Sequence, residues 1–442
     1  MKLNVNLNTF KGGIHPYEGK ELTNDKMITP IEASPEVVIP LSQHIGASAK
    51  AVVKAKDEVK VGQLIGEAQG FISANILSSV SGVVKCIEPR LDASGTYKDS
   101  IVIINDGLYT KAYEEHKNDL ASLSETDIMK KIKAAGVVGL GGAGFPTHVK
   151  LSPKDKNMID YIIVNGAECE PYLTSDYRLM IERSSQIIEG LKIVLRLFPH
   201  AKGIIAIENN KPEAIRTFIQ KCALEDNIEI KTVYTKYPQG GERSLIFATT
   251  RRKIYSKMLP ADAGCIVDNV ATMAAIYQAV IFDHPLVSTI MTLTGDAMKE
   301  PCNLEVPIGT NLQYLVDQNG GFKKLPEKII SGGPMMGTAL MSLDIPAVKT
   351  SSSILALSND EVANSQETAC IHCGRCLDVC PSNIAPSLMY QSAMKNDIER
   401  FIKLNGMECI ECGCCSYICP AKRNMTQSFK KMKRLVIASR KK

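Results

Sequence analysis

At 442 residues the chain is long enough for about two to four domains, each with a core of its own. Its 45% hydrophobic and 22% charged residues suit a soluble globular protein; no apolar run approaches the ~18 residues that span a bilayer, and "MKLNVNLNTFKGG" lacks the apolar core of a signal peptide, so the expected location is the cytosol. The net charge of +5 is uneven: residues 421–442 hold nine Lys and Arg and no acid, while the rest carries 43 basic and 47 acidic residues, which argues against a nucleic-acid-binding body.

In chain order, residues 1–29 form an N-terminal segment that contains "FKGGIHP" (Phe10–Pro16). Residues 30–105 carry Val, Ile, Gly and Ser in short alternating runs such as "AVVKA" and "SGVVKCI", the pattern of a small all-β module. The stretch "VKVGQLIGEAQGFISANILSSVSGVVKCI" resembles the lipoyl and biotinyl carrier fold, a barrel-sandwich hybrid. A carrier's modified lysine would fall near Phe71; no Lys stands there, so the module reads as scaffold.

Residues 120–285 alternate helix and strand signals. "YIIVN" (161–165), "GIIAIEN" (203–209) and "IEIKTVYT" (228–235) read as strands. Between the first two, Met180, Ile187, Leu191, Val194, Leu195 and Phe198 recur near a 3.6 period with only Ser184 interrupting, which predicts an amphipathic helix and hence a parallel α/β layer. Just before this layer, "GVVGLGGAGFPTHVKL" (Gly136–Leu151) formally contains G-x-G-x-x-G at Gly139, Gly141 and Gly144. A dinucleotide fingerprint needs a strand before it and a helix directly after. Here the helix-like "TDIMKKIKAAG" precedes and Pro146 follows, so that reading fails. What remains is a loop whose N–H groups can approach a phosphate or a flat ring, with Lys150 for charge, or else a tight structural turn. "NGAECEP" (Asn165–Pro171), "YPQGGERS" (Tyr237–Ser244) and "VDNVAT" (Val267–Thr272) add polar groups. Singly each fits a capped turn; on one α/β layer, where strand C-termini bind ligands, they suggest one pocket. Residues 286–355 form a second β-rich unit ending near "SGGPMMG".

From residue 360 cysteines dominate. "CIHCGRCLDVCP" (Cys370–Pro381) and "CIECGCCSYICP" (Cys409–Pro420) agree at seven of twelve positions, each reading C-x2-C-x2-C-x3-C-P. Three cysteines three apart wrap three corners of a cuboidal cluster, and Gly374 and Gly413 let the loop curl. In two-cluster ferredoxins the fourth Cys serves the other cluster. On that pattern one 4Fe–4S cluster takes Cys370, Cys373, Cys376 and Cys419, and the other takes Cys409, Cys412, Cys415 and Cys380. Zinc sites usually take separated ligand pairs, which this series does not offer. Cys414 reads as a bystander and His372 as a solvent-facing neighbour; Cys86, Cys169, Cys222, Cys265 and Cys302 read as packing residues. The basic end, 426–442, reads either as a solvated terminus or as a segment that docks on anionic lipid or an acidic partner.

The order G-x-GGAGFPT-x-x-K, N-x-x-E-x-EP, Y-x-x-G-x-E, V-x-NV-x-T resembles the flavin-binding subunit of respiratory complex I. With "FKGGIHP", the β module and the doubled cysteine motif, nearly the whole chain resembles the RnfC family of the Rnf complex, membrane-bound ferredoxin:NAD oxidoreductases coupled to ion pumping. The resemblance implies a multidomain α/β protein: a barrel-sandwich hybrid (30–105), a Rossmann-like FMN and NAD domain (120–285), a β-grasp module (286–355), a helical two-cluster ferredoxin domain (360–425) and a basic tail (426–442). It implies that Gly139, Gly141, Gly142, Gly144, Lys150, Asn165, Gly240, Asn269 and Thr272 hold FMN. Phe145, Glu170, Tyr237 and Glu242, with Glu168 beside them, would line the NAD(H) site. Two departures, Ala167 and Gly241 where the complex I protein is usually acidic, alter the flavin's surroundings.

The implied function is exchange of hydride between NAD(H) and FMN and relay of single electrons through two 4Fe–4S clusters, with no side chain acting as acid or base. Implied partners are the other membrane subunits of the complex, ferredoxin indirectly and NAD(H), without nucleic acid, on the cytoplasmic face of the membrane. Two alternatives stand beside this: a corrin (cobalamin) reductase, and a non-enzymatic iron–sulfur wire.

Overall fold

The computed structural model describes residues 8–114, 116–142 and 144–439. After a short strand β1 (Ile28–Pro30) come seven strands: β2 (Glu36–Pro40), β3 (Lys50–Ala51), β4 (Glu58–Val59), β5 (Leu64–Glu67), β6 (Ile76–Leu77), β7 (Gly82–Leu91) and β8 (Tyr97–Asn105). They form two facing sheets, β2-β8-β7-β4 and β3-β5-β6. The alternating sequence places Val37, Ile39, Val59, Ile65, Ile76, Val84, Ile101 and Ile103 in one core between the sheets. Phe71 is 72% exposed beyond the β5 end.

The central layer comprises α1 (Glu125–Ala134), α2 (Thr147–Lys150), β9 (Tyr161–Gly166), α3 (Ser175–Glu182), α4 (Ser184–Arg196), β10 (Lys202–Glu208), α5 (Pro212–Lys221), β11 (Ile228–Val233), α6 (Glu242–Thr250), β12 (Cys265–Asn269) and α7 (Val270–Phe282). The parallel sheet runs β11-β10-β9-β12. Helices on both faces explain why Ile162–Val164 of β9 and Ile204–Ile207 of β10 are buried as continuous apolar runs rather than alternating. α1 starts on a reciprocal cap between Ser124 and Asp127, and α5 carries Pro212 in its first turn. The single helix expected before β10 is two. The break falls at Arg183 (φ −127°, ψ 29°), whose guanidinium pairs with Glu305, while the Ser184 side chain turns inward and accepts from Lys221 at 2.8 Å. The apolar row is buried as the period required, from Met180 through Phe198.

A six-stranded sheet, β1-β14-β13-β17-β15-β16, follows, built from β13 (Ser288–Thr294), β14 (Cys302–Pro307), β15 (Lys328–Ser331), β16 (Thr338–Ala339) and β17 (Ser353–Leu357), with α8 (Leu312–Gln318) packed on it. Its first strand comes from the N-terminal segment, for which the sequence pattern indicates no sheet. That segment runs across the molecule: Asn8 bridges to Val233, Gly13 donates its N–H to the Val379 carbonyl, Ile14 pairs with Tyr237 and Lys20 reaches Glu168.

The last region is helical: α9 (Arg375–Asp378), α10 (Pro386–Met394), α11 (Ile398–Lys403), α12 (Cys414–Tyr417) and α13 (Met425–Ser439). The expected basic tail is mostly α13. Met425, Phe429, Met432 and Val436, spaced 4-3-4, bury one face against Met389, Tyr390 and Phe401, and Lys433 donates to the Cys409 carbonyl at 2.9 Å. The density of Lys and Arg masks that stripe in the sequence; residues 440–442 lie outside the described range. Among the described residues no helix is long and apolar enough to cross a membrane.

Candidate functional site

The strand order places β9, first in sequence, between β10 and β12, so the chain reverses its winding direction between β9 and β12. In open α/β sheets the crevice at the C-terminal ends of such a pair is where ligands bind. Asn165 and Asn269 are register partners at that edge. Asn165 donates from Nδ2 to the Gly240 carbonyl (2.9 Å) and accepts from Ala167 N–H, which fixes its amide. Asn269 caps α7 through Ala271 N–H (2.7 Å) and donates to Asp176 Oδ2 (2.7 Å).

The glycine loop joins this edge from the side. Gly139 N–H donates to the Phe145 carbonyl and Gly144 N–H to the Gly139 carbonyl, while Leu140 N–H reaches the buried Thr272 hydroxyl at 3.0 Å. Gly141 lies against Asn269 closely enough that a Cβ would stand 3.0 Å from the Asn269 Cβ; Gly142, at φ +115°, opens on free space. Lys150, at the end of α2, donates to the Val267 carbonyl (2.8 Å) and pairs with Asp268 (3.0 Å). Burial works against the ammonium, but the Asp268 and Glu242 charges and the hydrogen bond to Asp268 together hold it above its usual range. Glu242 opens α6 at the exposed rim, within electrostatic reach of Lys150.

Three expected ligand-lining residues point elsewhere. Glu168 turns under the crevice, where it accepts from Asp176 N–H (2.7 Å) and Tyr177 N–H (3.3 Å) at the start of α3, because the Thr174 hydroxyl that could cap that helix is bound to Thr23 and Asn303. Glu170 accepts from Met335 and Met336 N–H in the "SGGPMMG" loop, and a Cβ at Gly333 would run into its carboxylate. Burial pushes that carboxyl up to about 7. Tyr237, which precedes a cis Pro238, is only 1% exposed and donates its hydroxyl to the Cys412 carbonyl at 2.7 Å. So it walls the crevice off from the cysteine domain instead of lining an open dinucleotide slot. Ile14, Met335, Ile410 and Cys414 pack with it in one apolar cluster.

The second cysteine set surrounds a cavity lined by Cys380, Cys409, Cys412 and Cys415, closed by Pro381, Ile384 and Phe429. Cys380, from the other motif, is on the wall where the crossed pattern puts it. Among the described residues no three His, Cys, Asp or Glu side chains gather on a single-ion position; the thiols stand around a space instead. Burial raises the Cys409 and Cys415 thiols to about 11 and about 12, while Cys412 is held low by a bond from Cys414. Cys414 is fully buried and reaches the Tyr237 carbonyl. In the first set Cys376 and Cys419 are electrostatic neighbours, and Thr368 N–H to the Ala421 carbonyl draws the loop before Cys370 toward the segment after Cys419. Cys373 is exposed, as are His372 and Ile371. Cys169 is no mere packing residue: its sulfur accepts Gly240 N–H at 3.2 Å beneath Asn165. No local pattern signals that role, nor those of Asp176 and Lys20, since all three act through chain crossings.

Residues 8–108 match the RnfC barrel sandwich hybrid domain, 132–278 the Nuo51 FMN-binding domain, 290–339 the SLBB domain and 363–420 the 4Fe-4S dicluster domain. The C subunit of the Na(+)-translocating ferredoxin:NAD(+) oxidoreductase complex of Acetobacterium woodii is 44% identical over 446 residues, covering 100% of both chains. The chain belongs to the RnfC family. The C subunit of the proton-translocating ferredoxin:NAD(+) oxidoreductase complex of Clostridium ljungdahlii is also 44% identical, over 87% of this chain and 84% of that one. The C subunit of the ion-translocating oxidoreductase complex of Rhodobacter capsulatus is 39% identical, over 95% and 82%. Two relatives of equal identity are named for different ions, so overall similarity to them does not set the ion. This RnfC family member thus combines an FMN-binding domain, an SLBB module and a dicluster domain behind its barrel-sandwich hybrid.

The residues at the β9–β12 edge fit a flavin phosphate and ring. The glycine loop leaves backbone N–H groups without flanking side chains, and the buried Asp268 Oδ2 and both amide atoms of Gln239 have no hydrogen-bond partner in the protein. The cavity among Cys380, Cys409, Cys412 and Cys415 fits a cuboidal cluster in donor chemistry and in its apolar surround.

Proposed function

We propose that this chain is the NAD(H)-exchanging, electron-relaying subunit of a membrane-bound ferredoxin:NAD oxidoreductase coupled to ion translocation. The reading is carried by one observation: the glycine loop, Lys150, Asn165, Gly240, Asn269 and Thr272 converge on the β9–β12 switch point, and the Tyr237 loop joins that point to Cys412. FMN, when bound, exchanges hydride with NAD(H) and single electrons with iron–sulfur clusters.

The protein's own residues supply binding and insulation. Gly141 and Gly142, in a loop held by the Gly139 and Gly144 hydrogen bonds, would offer N–H groups to the phosphate, and Lys150, held by Asp268, the compensating charge. Asn165 and Asn269 present oriented amides to the ring. Half-buried Phe145 and exposed Glu242 would meet the dinucleotide. Glu168 and Glu170 act as braces: one fixes α3, the other clamps the 333–336 loop. The apolar cluster of Ile14, Tyr237, Met335 and Cys414 keeps water from the passage to the cysteines.

Cys409, Cys412, Cys415 and Cys380 would hold the cluster nearer this crevice, and Cys370, Cys373, Cys376 and Cys419 the outer one, whose exposed edge faces the other proteins of the complex. Those partners, with ferredoxin beyond them, put the chain peripherally on the cytoplasmic face of the membrane. Anaerobic titration with NADH, followed by iron, sulfide and flavin assay, tests the reading. Bleaching of both chromophores is expected; iron–sulfur absorption without releasable FMN would overturn it.

A further inference from the structure

Hydride exchange and cluster ligation use none of the residues of "FKGGIHP" (Phe10–Pro16). Both ends of this stretch are fixed to the α/β layer. Before it, Tyr234 N–H donates to the Asn8 carbonyl (3.0 Å) and Arg251 to the Thr9 carbonyl (3.1 Å); after it, Tyr172 N–H donates to the Glu18 carbonyl (2.6 Å). Between these anchors the backbone passes along the boundary between that layer and the cysteine region. Gly13 N–H donates to the Val379 carbonyl at 2.9 Å, and Ile14 and Tyr237 exchange both backbone hydrogen bonds, at 2.8 and 2.9 Å.

Two glycines make the passage possible, and each faces a different wall. A Cβ on Gly12 would stand 2.9 Å from the Val379 carbonyl oxygen and 3.0 Å from that of Cys380. One on Gly13 would stand 2.7 Å from the Tyr237 carbonyl oxygen. Their φ values of +83° and +85° also favour glycine. The filling between the two walls is therefore a single bare backbone. Lys236 pins it from the α/β side: its ammonium donates to the Phe10 and Gly12 carbonyls and lies 4.0 Å over the Phe10 ring.

This backbone meets the cysteine region at a residue assigned above to the inner cluster. Three of the four residues of that set stand beside a tie to the α/β layer. Next to Cys409, Glu408 pairs with Arg243 at 3.1 Å and accepts from Ser256 N–H at 2.8 Å. At Cys412 the carbonyl accepts from the Tyr237 hydroxyl at 2.7 Å. At Cys380 the tie is the Gly12–Gly13 backbone. We propose that Gly12 and Gly13 are positioning residues: a spacer that sets how far the Cys380 side of the inner cluster stands from the flavin crevice.

The spacer leaves the chemistry as it is. NADH supplies two electrons, which reach the two clusters singly, each cluster being reduced by one. What the glycines supply is proximity, and a displacement of about 1 Å can cost up to about a hundredfold in rate. The proposal rests on the function given above, since it presupposes flavin in the crevice and iron at the cysteines.

The test compares the FMN- and cluster-loaded protein with its Gly12→Ala variant after rapid mixing with NADH. Flavin bleaching should run at the parent's rate, while reduction of the inner cluster, read by freeze-quench electron paramagnetic resonance, should slow about tenfold or more. Iron content and the midpoint potentials of both clusters should match the parent, which separates a changed distance from a changed cluster. Hydrogen–deuterium exchange gives a reading independent of turnover. Residues 10–16 should be protected in the parent, and exchange there and at 376–383 should quicken in the variant while β9 stays protected. If Gly12→Ala does not retain its clusters, Phe10→Ala, which loosens the Lys236 anchor, should give the same split between flavin and cluster rates. Equal cluster reduction in variant and parent, flavin bleaching slowed in the same proportion, or a shifted inner-cluster potential overturns the spacer while leaving the function intact. A parent protein that retains no FMN, or whose clusters NADH does not reduce, overturns both.

Discussion

The two cysteine motifs share seven of twelve residues, yet they live in different surroundings. In the first, Cys373 is exposed, and Ile371 and Leu377 stand in solvent at 67% and 51%. In the second, Cys412 and Cys414 are buried, the Cys412 carbonyl is taken by Tyr237, and Met335 packs over Gly413. A ligand pattern therefore specifies what is held, and the residues outside the pattern decide who can reach it. One copy faces the α/β layer; the other faces outward.

The largest test of that difference is ligand removal. Cys415→Ala should remove the inner cluster, lower iron from roughly eight to roughly four per chain, and leave the outer cluster unreduced by NADH. Cys373→Ala should lose comparable iron, yet NADH should still reduce the inner cluster, as followed by electron paramagnetic resonance. Equal behaviour of the two variants would break the inner-and-outer assignment. Tyr237→Phe comes next. It leaves the Cys412 carbonyl unpaired and should cost about 1–3 kcal/mol of stability; it should alter the resonance signature of one cluster only.

A smaller effect is expected with pH. The Glu170 carboxyl, raised by burial from 4.5 to about 7, clamps the loop that carries Met335 over the inner motif. Between those values the folded chain binds more protons than the unfolded one, so stability falls as pH rises through the window and levels off above it. Thermal melting across that range should show a shallower slope in Glu170→Gln than in the parent, the remainder coming from other buried carboxyls such as Asp176, also raised to about 7. The smallest expected difference is between Gly374→Ala and Gly413→Ala. Both glycines have φ near +80° (78° and 84°), so each change costs about 1 kcal/mol in backbone strain. Only at Gly413 does the new methyl also meet Met335, 3.3 Å away, so its melting loss should be the larger.

The readable parts of this molecule are those where residues close in sequence act together. The cysteine spacing, the apolar period of Ile187 to Phe198 and the alternating β module each announce themselves within a dozen residues. The glycine loop can be freed from a false dinucleotide reading because α1 and Pro146 flank it. What stays hidden depends on distant crossings. Glu168 and Glu170 sit in a motif that suggests ligand contact, but helix α3 and the Met335 loop compete for their oxygens. Tyr237 belongs to a motif shared with nucleotide sites, and only the arrival of Cys412 shows that its hydroxyl is engaged. The stripe on α13 is legible in principle; its charge draws attention away from Met425, Phe429, Met432 and Val436.

The N-terminal segment that threads from Val233 past Val379 and Tyr237 to Glu168 and into the last sheet has a consequence for biogenesis. It leaves the ribosome well before its dock at Val379–Cys380. The strap must wait, unseated, while more than three hundred residues are made, because such long-range closures come late. The seam where Gly12 and Gly13 lie on the Val379–Cys380 backbone therefore forms only after the dicluster region itself has been made.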